Sequence, residues 1–192
     1  MKTEHIRDYL LLNALWLGLL WGFAEGTVFF IVPDILISAV ALFSLRRSLL
    51  CMAQVLVGSL CAGTFIFFAT QAFPEPTFRL IHAIPFVTDS MFATVQADYT
   101  AGGAWALVKG PLSGIPYKIY ALHAPAYVNL PAFLAVSIPA RLERFLVTWL
   151  IFAAVGYIFR RQVAKRPAPF IVGHVLYWIG AYILYWSSLA HE

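Results

Sequence analysis

Charged residues are scarce in this chain. Asp, Glu, Lys and Arg make up 11% of its 192 residues, whereas 61% are hydrophobic and the mean hydropathy is +0.80. Such values exclude an ordinary soluble domain. The pI of about 9.2 could suggest nucleic-acid binding. However, the cations cluster beside apolar runs, at Arg46 with Arg47 and again within 160–166, which favours a positive-inside membrane topology over a nucleic-acid surface.

Cysteine is also scarce, since Cys51 and Cys61 are the only two and both lie in one apolar segment. A disulfide framework or a metal site needs more ligands at closer spacing. Both cysteines are therefore predicted to be packing residues, and neither a cofactor nor a metal is predicted.

The chain contains several long apolar stretches. Those at 49–72, 132–159 and 170–189 have the length of one membrane crossing, about 20 residues for a hydrocarbon core of roughly 30 Å. The stretch at 9–45 would make a helix about 55 Å long, which is too long for one crossing. Because Gly22, Gly26 and Pro33 interrupt it, a re-entrant hairpin is predicted there.

The remaining stretch, at 104–127, contains several helix-breaking residues, including Gly114 and Pro116. Irregular backbone at membrane depth survives only where protein or a water-filled cavity covers it. A second re-entrant hairpin is therefore predicted, with hinges at Gly114 and Pro116 matching the hinge at Pro33 in the first.

The basic clusters orient these segments. They place loops 45–48 and 160–168 in the cytoplasm, so the spans beside them run antiparallel. A hairpin followed by a span thus occurs twice in opposite senses, which is typical of an inverted repeat in transporters, although accidental similarity of apolar segments stays an alternative. The predicted fold is an all-α integral membrane protein, one domain over 1–192 with a first repeat at 1–72, a periplasmic segment of short interfacial helices at 73–103, a second repeat at 104–159 and a C-terminal scaffold span at 170–189.

Ionisable residues inside these apolar stretches indicate the functional site. Glu25 and Asp34 lie in the first repeat, and Lys118, Arg141 and Arg144 lie in the second. Such residues are costly in a bilayer and usually face a protein interior. Helical rise puts Asp34 about 18 Å and Arg144 about 24 Å above the cytoplasmic edge. Carboxylates of one repeat are therefore expected to meet arginines of the other.

Arg141 and Arg144 are three residues apart and share a helix face, and Pro139 lies two residues before the first of them. Pro139 is expected to start or kink a helix, and a helix start would add free N–H groups to the two guanidinium forks, which suits phosphate. Lys118 is either a third cation of this site or a topology anchor. In the alternative interpretation the arginines extend to the interface or pair with Glu143.

Glu25 and Asp34 are expected to neutralise the arginines when no substrate is bound. Protonation of these carboxylates would then alter the hold of the arginines on an anion, which gives a hypothesis of proton coupling. Transport that is indifferent to an imposed pH gradient would contradict it.

At these positions the sequence resembles the DedA family, also called SNARE-associated or VTT-domain proteins. The matching residues are Glu25 followed by Val32-Pro33-Asp34, then Gly114-Ile115-Pro116-Tyr117-Lys118, and finally Arg141 and Arg144 before a helix that contains Gly156. The resemblance implies opposed re-entrant hairpins in the bacterial inner membrane and translocation of undecaprenyl phosphate from the outer to the inner leaflet. It also implies that Glu25 and Asp34 are the family's acidic pair, that Arg141 and Arg144 are its arginine pair, and that eukaryotic relatives scramble phospholipids.

Besides a phospholipid scramblase, three other functions stay open at this point. One is a secondary transporter of a small anionic solute that uses the same charges. Another is a lipid phosphatase, faintly suggested by Lys165-Arg166-Pro167 and Gly173-His174, although the partners that histidine catalysis needs are absent. The third is a scaffold without transport. The predicted partners are a membrane lipid and protons, with no nucleic acid, and a homo-oligomer is left open.

Overall fold

The computed structural model describes the backbone of residues 2–189 and the side chains of residues 5–110 and 113–187. In this part of the chain, all regular structure is helical, so the all-α class is confirmed. Met1 and residues 190–192, which the single-domain prediction included, lie outside the described residues. The helices are α1 Lys2–Thr27, α2 Asp34–Ala41, α3 Leu45–Ala72, α4 Pro74–His82, α5 Asp89–Gly102, α6 Gly110–Ser113, α7 Tyr117–Tyr127, α8 Leu130–Ile158, α9 Arg160–Lys165 and α10 Pro167–Leu189, with a 3₁₀ turn at Gly103–Val108.

Three of the described helical segments are long and apolar enough to cross a bilayer: His5–Thr27, Leu45–Ala72 and Pro167–Ser187. The last two correspond to the spans predicted at 49–72 and 170–189. Helix α8 has 29 residues, about 43 Å of helix, but carries three charged residues near its middle. Large apolar side chains are exposed along α1, α8 and α10, including Trp16, Leu150 and Leu184. Contiguous apolar surface of this kind fits a lipid environment.

The first long stretch differs from its prediction. Helix α1 continues unbroken through Gly22 and Gly26 to Thr27, so the predicted breaks at these two glycines are wrong. The chain turns instead over 28–33, and Pro33 directly precedes α2. The stretch is therefore a helix of spanning length followed by a short returning helix.

The glycines of α1 serve close helix packing. A Cβ at Gly22 would lie 2.9 Å from the carbonyl carbon of Val55 on α3, and a Cβ at Gly58 would lie 2.8 Å from the backbone nitrogen of Phe23 on α1. Small residues at four-residue spacing let two backbones approach in this way, and Gly18, Gly22 and Gly26 have that spacing. The close packing of α1 on α3 fixes Glu25 near the end of α1.

The second predicted hairpin is interrupted where expected. Helix α6 ends at Gly114, which has a φ of 75°, and Pro116 directly precedes α7. Helix α8, in contrast, begins at Leu130, where the side chain of Asn129 accepts a hydrogen bond from Ala132 N at 2.9 Å. It continues through Pro139, so the predicted helix start at that proline is wrong. The arginines thus lie too far from the helix N-terminus to benefit from its dipole, which acts within about one turn.

Two apolar clusters flank the charged residues. One joins α1, α2, α3 and α8 and includes Phe145, and the other joins α3, α5, α7 and α8 and includes Tyr117. The guanidinium carbon of Arg141 lies 5.0 Å from the ring centroid of Tyr117 and 4.9 Å from that of Phe145. The charges are therefore buried between the two halves of the core.

The segment between the halves contains α4 and α5, which confirms the short helices predicted within 73–103. Cys51 is buried in the core, as its predicted packing role requires, but Cys61 is exposed, so that prediction is wrong for Cys61. An exposed thiol on α3 contacts the surroundings of that helix rather than its partners.

Candidate functional site

The first ion pair of the site joins Glu25 on α1 to Arg141 on α8. Nη1 of Arg141 lies 3.4 Å from Oε1 of Glu25, and Nη2 contacts Oε2 of the same carboxylate and donates to Ser59 Oγ at 3.0 Å. Their side chains are only 4% and 6% exposed for Arg141 and Glu25. Transfer of two charged groups from water into the protein costs free energy unless they are paired and hydrogen-bonded. Glu25 and Arg141 are both paired and hydrogen-bonded.

The second ion pair joins Asp34, the first residue of α2, to Arg144 on α8. Nη2 of Arg144 lies 3.0 Å from Oδ2 of Asp34, but the pair lacks the alignment of a hydrogen bond. Thr148 donates to Oδ1 of the same carboxylate at 3.2 Å. The side chain of Arg144 is 30% exposed, although its Nη2 atom is buried. Asp34 is also favoured by the positive end of the α2 dipole.

These pairs confirm the expectation that carboxylates from one half of the chain meet arginines from the other. The alternative pairing with Glu143 is wrong, since Glu143 is exposed and the arginines contact Glu25 and Asp34 instead. Arg141, being buried, also does not extend to an interface.

Lys118, near the start of α7, is the third cation of the site. Only 2% of this residue is exposed, and its Nζ donates to the carbonyl oxygen of Phe29 at 2.7 Å. A topology anchor would keep its ammonium in water, so the buried position contradicts that alternative. Lys118 instead binds the 28–33 turn to α7 and so joins the two predicted hairpins.

The formal charges of this cluster do not cancel. Arg141, Arg144 and Lys118 face two carboxylates, so that one positive charge is left among these five residues when Lys118 is protonated. A net charge at low dielectric is costly unless a partner compensates it. The cluster is therefore suited to bind an anion.

A cavity of about 290 Å³ adjoins the cluster, and Glu25, Lys118 and Arg144 are the charged residues of its lining. Its other lining residues are largely apolar and aromatic, and those at its exposed edge include Phe30, Phe86 and Tyr185. The remaining lining residues are Phe29, Val32, Ile84, Pro85, Val87, Gly110, Gly114, Ile115, Pro116, Trp178, Ala181, Tyr182 and Trp186.

Aromatic residues of α10 form part of this site, whereas the sequence predicted only a scaffold span at 170–189. Tyr182 Oη accepts a hydrogen bond from Val32 N at 2.8 Å, and Tyr185 Oη donates to Gly114 O at 3.1 Å. Both contacts are to hinge segments. The spacing of Trp178, Tyr182, Tyr185 and Trp186 places them along one helix face, and that stripe was the available signal.

Tyr182→Phe is expected to lower the stability of the protein by about 1–3 kcal/mol, because the N–H of Val32 loses its acceptor in a partly buried turn. Thermal unfolding in detergent would measure the loss. Tyr177→Phe is the matched control, since Tyr177 is exposed on the same helix. Equal unfolding temperatures for the two variants would contradict the role assigned to Tyr182.

His174, on which the lipid-phosphatase alternative depends, is not among the residues that line the cavity. It is buried, its Nε2 is 2.8 Å from Ser38 Oγ, and Trp178 Nε1 lies within 3.2 Å of it. These contacts hold α10 against α2, which is a structural role. Among the described residues, no group of three or more His, Cys, Asp or Glu side chains could hold a metal.

The arrangement can bind an anion between two sets of helices without forming or breaking covalent bonds. Of the residues predicted for the site, Glu25, Asp34, Lys118, Arg141 and Arg144 come together, while Pro33, Gly114 and Pro116 lie at the turns around them. Comparisons with protein-family models, with curated proteins and with solved structures give no match to this chain.

Proposed function

We propose that this chain is a lipid-phosphate translocase related to the DedA family, and that it moves undecaprenyl phosphate from the outer to the inner leaflet of a bacterial inner membrane. The observation that carries the proposal is the unbalanced positive charge at the base of an aromatic-lined cavity. A phosphate monoester supplies the missing negative charge, while exposed apolar side chains at the cavity edge can contact a lipid chain.

The two arginines have different roles in this proposal. Arg141 is already occupied by Glu25 and Ser59, so it holds the helices together around the site. Arg144 is partly exposed to the cavity and is not aligned with Asp34, so its guanidinium can turn toward a phosphate. Lys118 adds a donor in the same cavity. Phosphate is thus bound by Arg144 and Lys118, with Arg141 behind them.

The proposal includes two opposed re-entrant hairpins in an inverted repeat. Helix α2, with eight residues, covers about 12 Å, and α6 and α7 are also shorter than a bilayer crossing. Both hairpins carry buried charges of the site, which supports a position within the membrane. Loops 45–48 and 160–168 are cytoplasmic in this arrangement, and 73–103 is periplasmic.

Proton coupling is part of the same proposal. Protonation of Asp34 would release Arg144 for phosphate, whereas the carboxylate of Asp34 competes with phosphate for that arginine. Uptake by the purified protein in vesicles is expected to depend on an imposed pH gradient, and Asp34→Asn is expected to abolish that dependence. A gradient-independent wild type would contradict the coupling but not the binding of phosphate.

Undecaprenyl phosphate is expected to stabilise the detergent-purified protein in a saturable manner, by about 2.7 kcal/mol at one hundred times its Kd. A neutral polyprenol and a dianionic phospholipid are the comparison ligands. Arg144→Ala is expected to remove most of the response because it deletes the accessible phosphate donor. Thermal unfolding at increasing lipid concentration is the measurement.

Arg79→Ala serves as the control variant, because Arg79 is an exposed arginine on α4 and its removal causes the same loss of charge. Equal stabilisation by all three lipids, or an unchanged response in Arg144→Ala, would contradict the proposal. Stabilisation by inorganic phosphate alone would favour the small-anion transporter, and a response to the phospholipid alone would favour a scramblase.

A further inference from the structure

A second cavity lies at the end of the helix bundle that carries the basic clusters. Its volume is about 330 Å³, and it shares no lining residue with the cavity beside Glu25 and Arg144. It is bounded by the first turns of α1, the link between α2 and α3, the end of α8, and α9. The residues that line it are Arg7, Asp8, Leu11, Leu42, Phe43, Gly156, Arg160, Val163 and Ala164.

Cations outnumber acids at this second cavity. Arg7 and Arg160 line it. Arg47 borders it, since its Nη1 donates to the carbonyl oxygen of Leu11, a lining residue, at 3.1 Å. Asp8 is the only acid among the lining residues, and it is paired with Arg7 at 2.9 Å. The three arginines and the one carboxylate leave two positive charges, which suits an anion.

Arg160 is the cation of this cavity that has no acidic partner. It is exposed, and among the described side chains no carboxylate forms an ion pair with it. Its guanidinium carbon instead lies over the ring of Tyr157, 5.5 Å from the centroid. A guanidinium held against an aromatic face keeps its edge N–H donors available to a phosphate group.

Exposed apolar side chains flank the lining residues along the chain. Ile158 and Phe159, which directly precede Arg160, are 68% and 43% exposed. Leu12, which follows Leu11, is 71% exposed. Cationic and apolar contacts are therefore offered side by side, which suits an amphipathic ligand better than a free inorganic anion.

We propose that this second cavity binds the anionic head group of a phospholipid, taken from the leaflet at the basic end of the bundle. Arg160 and Arg7 hold the phosphodiester, Arg47 adds positive charge at the border, and the acyl chains lie along exposed apolar side chains of α1 and α8. A head group held in this way joins α1 to α9. The site stands whether or not the larger cavity takes a lipid phosphate, and only its assignment to the cytoplasmic leaflet rests on the proposed topology.

The test is thermal unfolding of the full chain in detergent, titrated with phosphatidylglycerol or with phosphatidylcholine of the same acyl chains. Sodium chloride at about 0.5 M screens charges that lie more than a few ångströms apart, so direct contacts dominate. Phosphatidylglycerol is expected to raise the Tm by about 3–6 °C at ten times its Kd and to saturate. Equal shifts with the two lipids would overturn the proposal.

Two double variants separate a built site from general attraction to a basic surface. Arg7→Gln with Arg160→Gln is expected to raise the Kd for phosphatidylglycerol roughly tenfold, because both phosphate contacts are lost. Arg161→Gln with Arg166→Gln is the matched control, since both arginines are exposed at the same end and neither lines the cavity. The control is expected to raise the Kd less than about threefold at this salt concentration. Equal losses in the two double variants would overturn the proposal.

A third variant separates this site from the larger cavity. Arg144→Ala is expected to keep the phosphatidylglycerol response, because Arg144 lines only the other cavities. A response that disappears in Arg144→Ala would place the phospholipid in the larger cavity and overturn the proposal. Inorganic phosphate is expected to give no shift. A phosphate shift that the Arg7→Gln, Arg160→Gln variant loses would identify a soluble anion as the ligand and overturn the assignment to a lipid.

Discussion

Glu25→Met is expected to destabilise the protein by about 3–5 kcal/mol, the usual range when one partner of a buried ion pair is removed. The substitution keeps roughly the same side-chain volume but leaves Arg141 buried without a carboxylate. It also raises the unbalanced charge of the cluster from one to two. Thermal unfolding in detergent, with expression level as a second readout, would measure the effect.

The double variant Glu25→Met with Arg141→Met is expected to recover most of this loss, because two apolar side chains can replace a buried ion pair at little cost. Glu143→Gln, on the helix α8 that carries Arg141, is the control and is expected to change stability by less than about 0.5 kcal/mol, since Glu143 is exposed. A double variant as unstable as the single one would show that the two side chains act through other contacts. In that case the ion pair would not be the element that joins α1 to α8.

Gly22→Leu is expected to destabilise the protein by about 3 kcal/mol or more, because the new side chain would overlap the backbone of Val55 on α3. The backbone of Val55 cannot relieve this overlap by a change of rotamer, so α1 and α3 must move apart along their contact. Thermal unfolding and size-exclusion behaviour in detergent would report the loss of folded protein.

Two further variants identify the cause of that loss. Trimming the neighbour with Val55→Ala is not expected to rescue Gly22→Leu, since the obstruction is backbone and not side chain. Gly180→Leu on α10 is the matched control, because no heavy atom lies within 4 Å of the position where its Cβ would be. It is expected to be neutral or slightly stabilising, as removal of a helical glycine usually is. Similar losses for both leucine variants would mean that contact with the α3 backbone does not explain the effect.

The glycines of α1 show why part of the fold could not be predicted from the sequence. Glycine weakens a helix but also lets two helices approach closely, and a single sequence does not distinguish these effects. Gly22 lies within α1 and contacts the α3 backbone, so it serves helix packing. Gly114, with its positive φ, ends a helix as expected. Pro139 is a similar case, since α8 continues through it at an exposed position.

The sequence by itself determined that this protein is helical, that several of its helices are apolar enough for a bilayer, and that Glu25 and Asp34 meet Arg141 and Arg144. The physical reason is that the length and hydropathy of a segment can be read directly from its residues, and that charged side chains at membrane depth need opposite charges as partners. Only the tertiary structure decided which arginine is buried and which is partly exposed, that Lys118 binds the 28–33 turn, and that α10 supplies aromatic residues to the cavity. These properties depend on distances of a few ångströms between distant segments, and local sequence patterns do not encode such distances.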